Sequence, residues 1–238
     1  MPALIGAAQV VPGGRALDLC CGHGIISDAM VQAGAQVVGV DFSEPMLAMA
    51  RKRAPGAEFR QGDAMALDLD EAQFDAVTIG FGVPHVPDPP RVFAEVRRVL
   101  KPGGWLAYSV WSDVPDSAME YVFTAIADHG EPGIALPPGP GASDYADPAR
   151  ASSALTAAGF DAPTLATVDS FWQVDDPGAP FDFFDAGTVR GGALLRVQSP
   201  AFRAAIRGAV VDRVRAVHGP KGPWKVPIPA VVVAAQAI

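Results

Sequence analysis

A glycine turn, two aspartates and a histidine carry the chemistry this sequence offers. In "LDLCCGHG", residues 17–24, an apolar run ends in a turn where Gly22 and Gly24 put no side chain between backbone and ligand. A helix that starts just after such a turn presents N–H groups and a partial positive charge, so the turn suits a carboxylate or a phosphate. Asp41 follows Gly22 by 19 residues, close to the offset at which an acidic residue meets the two hydroxyls of a ribose. Asp63, in "QGDA", is placed for the exocyclic amine of an adenine, with the Ala64 N–H beside it. His85, in "GFGVPH", titrates near neutrality in its ordinary state and is the candidate general base. Each has a plainer alternative: a tight connection for the turn, a helix N-terminal charge for Asp41, a surface turn for Asp63 and a packed loop histidine for His85.

The remaining reactive side chains have weaker claims. His23 lies inside the glycine turn, and His129 and His218 each precede a glycine at an expected helix end, where the helix dipole accounts for them. Cys20 and Cys21 are adjacent, lack the spacing of a zinc or redox motif, and read as small wall residues.

The elements that position these residues alternate. "RALDLCC" and "AQVVGVD" are short apolar strands, "AEFRQGD" a shorter one, and "FDAVTIGF" and "WLAYSVW" two more. Between them, "GIISDAMVQAG" has helical spacing and Gly34 stops it, Ser43 caps a helix through "EPMLAMARKRA", and "DPPRVFAEVRRVLKPGG" carries an apolar stripe of Val92, Phe93, Val96, Val99 and Leu100. Near-continuous apolar strands separated by helices predict a parallel sheet covered on both faces, with ligands at the carboxyl ends of the strands.

The second half is less regular. "SAMEYVFTAIADHG" and "PARASSALTAAGF" read as helices, "EPGIALPPGPGASDYADP" as a lid or linker, and "PTLATVDSFWQV" as one strand. "FDFFDAGTVRGGALLRV" and "PAFRAAIRGAVVDRVRAVHG" read as a helical pair, and "PIPAVVVAAQ" as a strand returning to the sheet. Residues 175–222 then form a cap insertion, whose Phe171, Trp172, Phe181, Phe183 and Phe184 neighbourhood either lines an acceptor pocket or fills the core beneath the cap.

Composition narrows the partners. A chain of 238 residues, half of them apolar, can bury one sizeable core. Its formal charge of −8 disfavours a nucleic-acid backbone or an anionic membrane as the main partner and favours a small molecule. Two cysteines cannot build a disulfide framework, so a reducing, cytoplasmic setting is expected. "MPALIGAAQVVPGG" has no basic flank and does not read as a signal peptide, and no segment is long enough to span a bilayer.

The motif series resembles the class I S-adenosylmethionine-dependent methyltransferases over residues 14–111. "DLCCGHG" is similar to their acidic-x-Gly-x-Gly-x-Gly motif with Cys20 in place of the first glycine, "VVGVDFSEPMLAMA" to the second motif, "GDA" to the third and "FDAVTIGFGVPHVPD" to the fourth. "GFGVPHVPDPPRVFAEVRRVLKPGG" is similar to the ubiquinone/menaquinone C-methyltransferase group and its small-molecule relatives. The resemblance implies a Rossmann-like, doubly wound, mainly parallel seven-stranded sheet with helices on both faces and a helical cap insertion before the last strand, forming a single methyltransferase domain.

It further implies S-adenosyl-L-methionine as cofactor and S-adenosyl-L-homocysteine as product. Cys20, Gly22 and Gly24 would meet the methionine part, Asp41 the ribose, Phe42 and Met46 the adenine faces, Asp63 and Ala64 the adenine edge, and the Gly80 carbonyl the amino group. At Cys20 it implies φ < 0. The activity expected is methyl transfer to oxygen or carbon of a small-molecule acceptor. A non-catalytic module that binds the same nucleoside and a nicotinamide-dependent oxidoreductase remain as alternatives, the latter lacking a full Gly-x-Gly-x-x-Gly turn.

Overall fold

The computed structural model describes residues 1–238 and divides them into two compact units. One comprises Met1–Trp111, Gly139–Val168 and Val231–Ile238; the other comprises Ser112–Pro138 and Asp169–Ala230.

The first unit is built on a seven-stranded sheet. Its strands are β1 (Arg15–Leu19), β2 (Gln36–Asp41), β3 (Glu58–Gln61), β4 (Phe74–Gly80), β5 (Leu100–Trp111), β6 (Thr164–Val168) and β9 (Ala230–Gln236), in spatial order β3-β2-β1-β4-β5-β9-β6. The pairs β1–β2, β1–β4, β2–β3 and β4–β5 are parallel, as the alternation predicts. The order reverses between β1 and β4, and such a switch point opens a crevice at the carboxyl ends of the strands.

The period of two sorts the strands between two faces. Leu17, Leu19, Val38, Val40, Val77 and Ile79 point to one face, where α4 (Pro89–Val99) lays down Val92, Phe93, Val96 and Val99. Ala16, Val37, Ala76 and Ala107 point to the other, with Leu4 and Ala8 from α1 (Pro2–Ala7) and its end and Met30 from α2 (Ile25–Gln32). The residues on this second face are smaller, and Asp18 and Thr78 lie on it in the same alternation. Helix α3 (Glu44–Arg53) buries Leu47 and Ala50 against Cys21 and Phe59.

Helix α4 begins as expected, with the Asp88 carboxylate accepting the Arg91 N–H. It ends at Val99 rather than at the Pro102-Gly103-Gly104 stop, because Leu100–Gly104 already run with β5 through an irregular register. Helix α1 was not anticipated; six residues hold a helix there because Leu4 is buried, Pro2 being the sole local signal. Helix α6 (Pro148–Ala157) completes this unit, capped by Asp147.

The second unit holds α5 (Ala118–His129), α7 (Ala179–Gly187), α8 (Val189–Leu195) and α9 (Pro200–His218), with an antiparallel ribbon of β7 (Phe171–Val174) and β8 (Trp224–Pro227). Helix α9 buries Ile206, Val210 and Val214, one residue per turn, so a narrow stripe anchors it. The expected helical pair is three helices, since Thr188 leaves helical geometry between α7 and α8. The single strand expected over "PTLATVDSFWQV" is two, β6 and β7, which enter different sheets. Of the aromatic residues named for this region, Phe181 and Phe184 are buried, while Phe171 and Phe183 are exposed.

Candidate functional site

The carboxyl ends of β1, β2, β3 and β4 gather most of the residues singled out above. Asp41, the last residue of β2, is nearly buried, and its two oxygens accept different backbone donors: Oδ2 the Gly22 N–H at 2.8 Å and Oδ1 the Ser43 N–H at 2.9 Å. One donor of the glycine turn is therefore engaged by the protein itself. Each carboxylate oxygen keeps a further lone pair for a hydroxyl. Asp41 O also accepts the Gly62 N–H at 3.0 Å, which brings Asp63 alongside. Asp63 is exposed and accepts the Met65 N–H at 2.8 Å, and Ala64 next to it is buried.

The turn owes its shape to backbone that side chains disfavour. Gly22 has φ 53° and Gly24 φ 80°. Around a Cβ placed on Gly22 there is open space, whereas one on Gly24 would lie 2.9 Å from Ala50 Cβ, so Gly24 lets α2 start against α3. Cys20 corrects the negative φ implied at its position: it sits at φ 58°. The chain turns here from β1 in a left-handed conformation although a side chain is present, at a cost of about 1–2 kcal/mol.

A second left-handed residue stands on the adjacent strand end. Phe81 follows Gly80 at φ 55°, held by its N–H to Ser109 O at 3.1 Å and Ser109 Oγ at 3.2 Å. Its ring meets Trp111 at 4.2 Å between centroids. Non-glycine residues in this region collect at functional sites. Neither Phe81 nor Trp111 was singled out from the sequence, where both are simply strand-end aromatics. At Gly80 an added Cβ would meet Ile26 Cδ1 at 2.1 Å. His85 ends a short 3₁₀ turn, Val83–His85, that follows, with its N–H on Gly82 O at 2.9 Å and its side chain exposed.

The field of the site is negative. Burial, then the charges of Asp41, Asp18 and Asp63, push the Cys20 thiol up to about 12, so it stays protonated. Asp18 is fully buried; Oδ2 accepts the Ser27 hydroxyl at 2.6 Å and Oδ1 the Thr78 hydroxyl at 3.2 Å, and burial lifts its carboxyl to about 6. Two basic residues of the flanking elements pair elsewhere, Arg51 with Glu44 and Arg60 with Glu58. Phe42 and Met46 are exposed at the start of α3, Phe42 by 77%. A surface cleft of about 420 Å³ lies apart, between Met65–Asp68 and Arg91, Glu95 and Arg98 of α4. Its Glu95 is already taken by Arg98 and the Leu67 N–H.

The strand order defines a doubly wound α/β protein with a crevice at the carboxyl ends of its strands. Residues 17–108 match the methyltransferase domain family. Demethylmenaquinone methyltransferase of Renibacterium salmoninarum is 39% identical over 132 residues, covering 56% of this chain and 56% of that protein. The chain thus spans just over half the length of this relative. In structure it is similar to the YcgJ protein of Bacillus subtilis, with TM-score 0.64, 18% identity and coverage of 99% of this chain and 96% of that one. An S-adenosylmethionine-dependent methyltransferase from Mesorhizobium loti gives TM-score 0.52, 22% identity and coverage of 99% and 96%.

Proposed function

We propose that the protein transfers a methyl group from S-adenosylmethionine to a small-molecule acceptor, at oxygen or carbon. The observation that carries this reading is the charge of the crevice: Asp18, Asp41 and Asp63 act together at Cys20, while Asp41 is held by backbone N–H groups and not by a cation. A sulfonium nucleoside with a ribose diol suits such a site; the pyrophosphate of a dinucleotide would meet its negative field. Gly22 supports the fit, since the open space at its missing Cβ forms a cradle.

In this reading Asp41 holds the ribose hydroxyls, Asp63 and the Ala64 N–H the adenine edge, Phe42 and Met46 its faces, and the turn of Cys20, Gly22 and Gly24 with the Gly80 carbonyl the amino-acid tail. When bound, S-adenosylmethionine supplies a methyl carbon open to in-line displacement. The chain aligns the acceptor and excludes water. His85 takes the acceptor's proton where the acceptor arrives protonated. Residues 14–111 serve as the cofactor core, and residues 112–238, with the cap insertion at about 175–222, select the acceptor. The relatives named as demethylmenaquinone methyltransferases support methyl transfer to a small molecule.

Calorimetric titration with S-adenosylhomocysteine and with NADH tests the cofactor, and methyl-labelled cofactor incubated with a small-molecule extract tests transfer. Binding of the thioether nucleoside together with a labelled product is the expected result. Binding of NADH alone would replace the reading with an oxidoreductase, and nucleoside binding with no labelled product would leave a non-catalytic module.

A further inference from the structure

Asp18, two residues before Cys20 and the glycine turn, is a fully buried acidic group. It lies on the small-residue face of β1, paired in the sheet with Gly39 of β2 on one side and Thr78 of β4 on the other. Its hydrogen-bond partners are two neutral hydroxyls, Ser27 on α2 and Thr78 on β4, and the Ser27 backbone N–H. The titratable groups that interact with it are Asp41 at the end of β2 and Cys20 and Cys21 in the turn. Asp41 adds a like charge, and both thiols are held protonated by burial. A buried carboxylate with a negative neighbour and no cation favours its neutral form.

Resting on the methyltransferase reading above, we propose that at mildly acidic pH Asp18 carries a proton in the ligand-free protein and releases it to solvent when the cationic sulfonium nucleoside binds, so that in this range the crevice distinguishes substrate nucleoside from product by charge. The balance is simple: the carboxyl O–H bond breaks, the proton passes to buffer, and the sulfonium charge replaces it as the partner of the carboxylate. The neutral thioether product brings no such charge, and Asp18 takes a proton back from solvent once it alone remains. The two hydroxyls make both states tolerable, because each can donate to the carboxylate and Ser27 can rotate to accept from the acid.

The test is calorimetric titration of the full chain with S-adenosylmethionine and with S-adenosylhomocysteine, in buffers of different ionisation enthalpy, between pH 5 and 6.5. In that range the amino-acid tails of both ligands keep the same charges. The expected result near pH 6 is up to about half a proton more released by the sulfonium ligand than by the thioether, with the difference smaller at pH 6.5. Asp18→Asn should bind both ligands with no difference in proton release. Ser27→Ala, which removes the shorter hydroxyl contact, should move the window upward in pH; it also serves if Asp18→Asn fails to fold. Equal proton release by both ligands in the unmodified protein, or a difference that persists in Asp18→Asn, would overturn the proposal while leaving cofactor binding intact. Failure of both ligands to bind would instead strike the reading beneath it.

Discussion

Cys20 and Gly82 are fitted to each other: a Cβ at Gly82 would stand 2.6 Å from Cys20 Cβ and 2.9 Å from Cys20 Sγ. The two residues close adjacent strand ends, and the thiol of one fills the space that the other's missing side chain leaves. Gly82→Ala should therefore cost about 2 kcal/mol, the penalty of overpacking a closed site. In a Cys20→Gly background most of that cost should vanish, with Ile79 Cγ2 at 2.8 Å keeping a remainder. Chemical denaturation of the two single variants and the double variant measures the coupling, and strictly additive effects would break the pairing.

Asp41→Asn keeps the size of the side chain and removes its charge. The carboxylate now serves two backbone donors with two oxygens, and an amide has one acceptor oxygen, so the Gly22 or the Ser43 N–H loses its partner. The variant should lose about 1–3 kcal/mol of stability and at least about tenfold in affinity for the nucleoside. Thermal unfolding with and without S-adenosylhomocysteine separates these effects.

The burial of Asp18 gives stability a definite pH slope. Its carboxyl titrates at about 6 in the folded chain against 3.8 in the absence of the fold, so between these values the folded state binds the extra proton. This contribution favours the fold below about pH 4 and is lost as pH rises to 6, by about 3 kcal/mol in total. Glu95 and Asp75 act in the opposite sense, because Arg98 and Lys101 beside them hold their carboxyls below the usual range. Comparing urea unfolding of the unmodified protein and Asp18→Asn at pH 4.5 and 7.5 isolates the Asp18 part. The variant should gain relative stability at the higher pH.

His85→Ala should leave cofactor affinity unchanged and lower turnover strongly, by about a hundredfold or more if the imidazole accepts the acceptor's proton. Its exposure on the Val83–His85 turn makes a folding defect an unsuitable explanation for such a loss. Steady-state rates across pH 5.5–8.5 form the check, and turnover equal to that of the unmodified protein would remove His85 from the chemistry.

The sequence was most readable where periodicity and burial coincide. Strands β1, β2 and β4 are buried on both faces and so read as continuous apolar runs, and the stripe on α4 left one choice of face. It was least readable where a distant partner decides. In "PTLATVDSFWQV" the alternation runs on across Asp169 and Ser170, and nothing local marks that β6 and β7 join different sheets. In the crevice, the spacing of Gly22 and Asp41 suggested one shared ligand, and the direct bond between them depends on how β1 and β2 align. The left-handed backbone at Cys20 was missed because residue type argues against it; only the demands of the turn impose it.

The place of β9 sets the timetable of synthesis. It lies between β5 and β6 although it is made after both, so β6 must wait beside an unfilled slot while residues 169–229 are made. Until then both flanking strands expose unpaired edges, the kind of surface that recruits chaperones or misassociates. A nascent chain stalled before residue 230 should accordingly be far more prone to aggregation than the finished one.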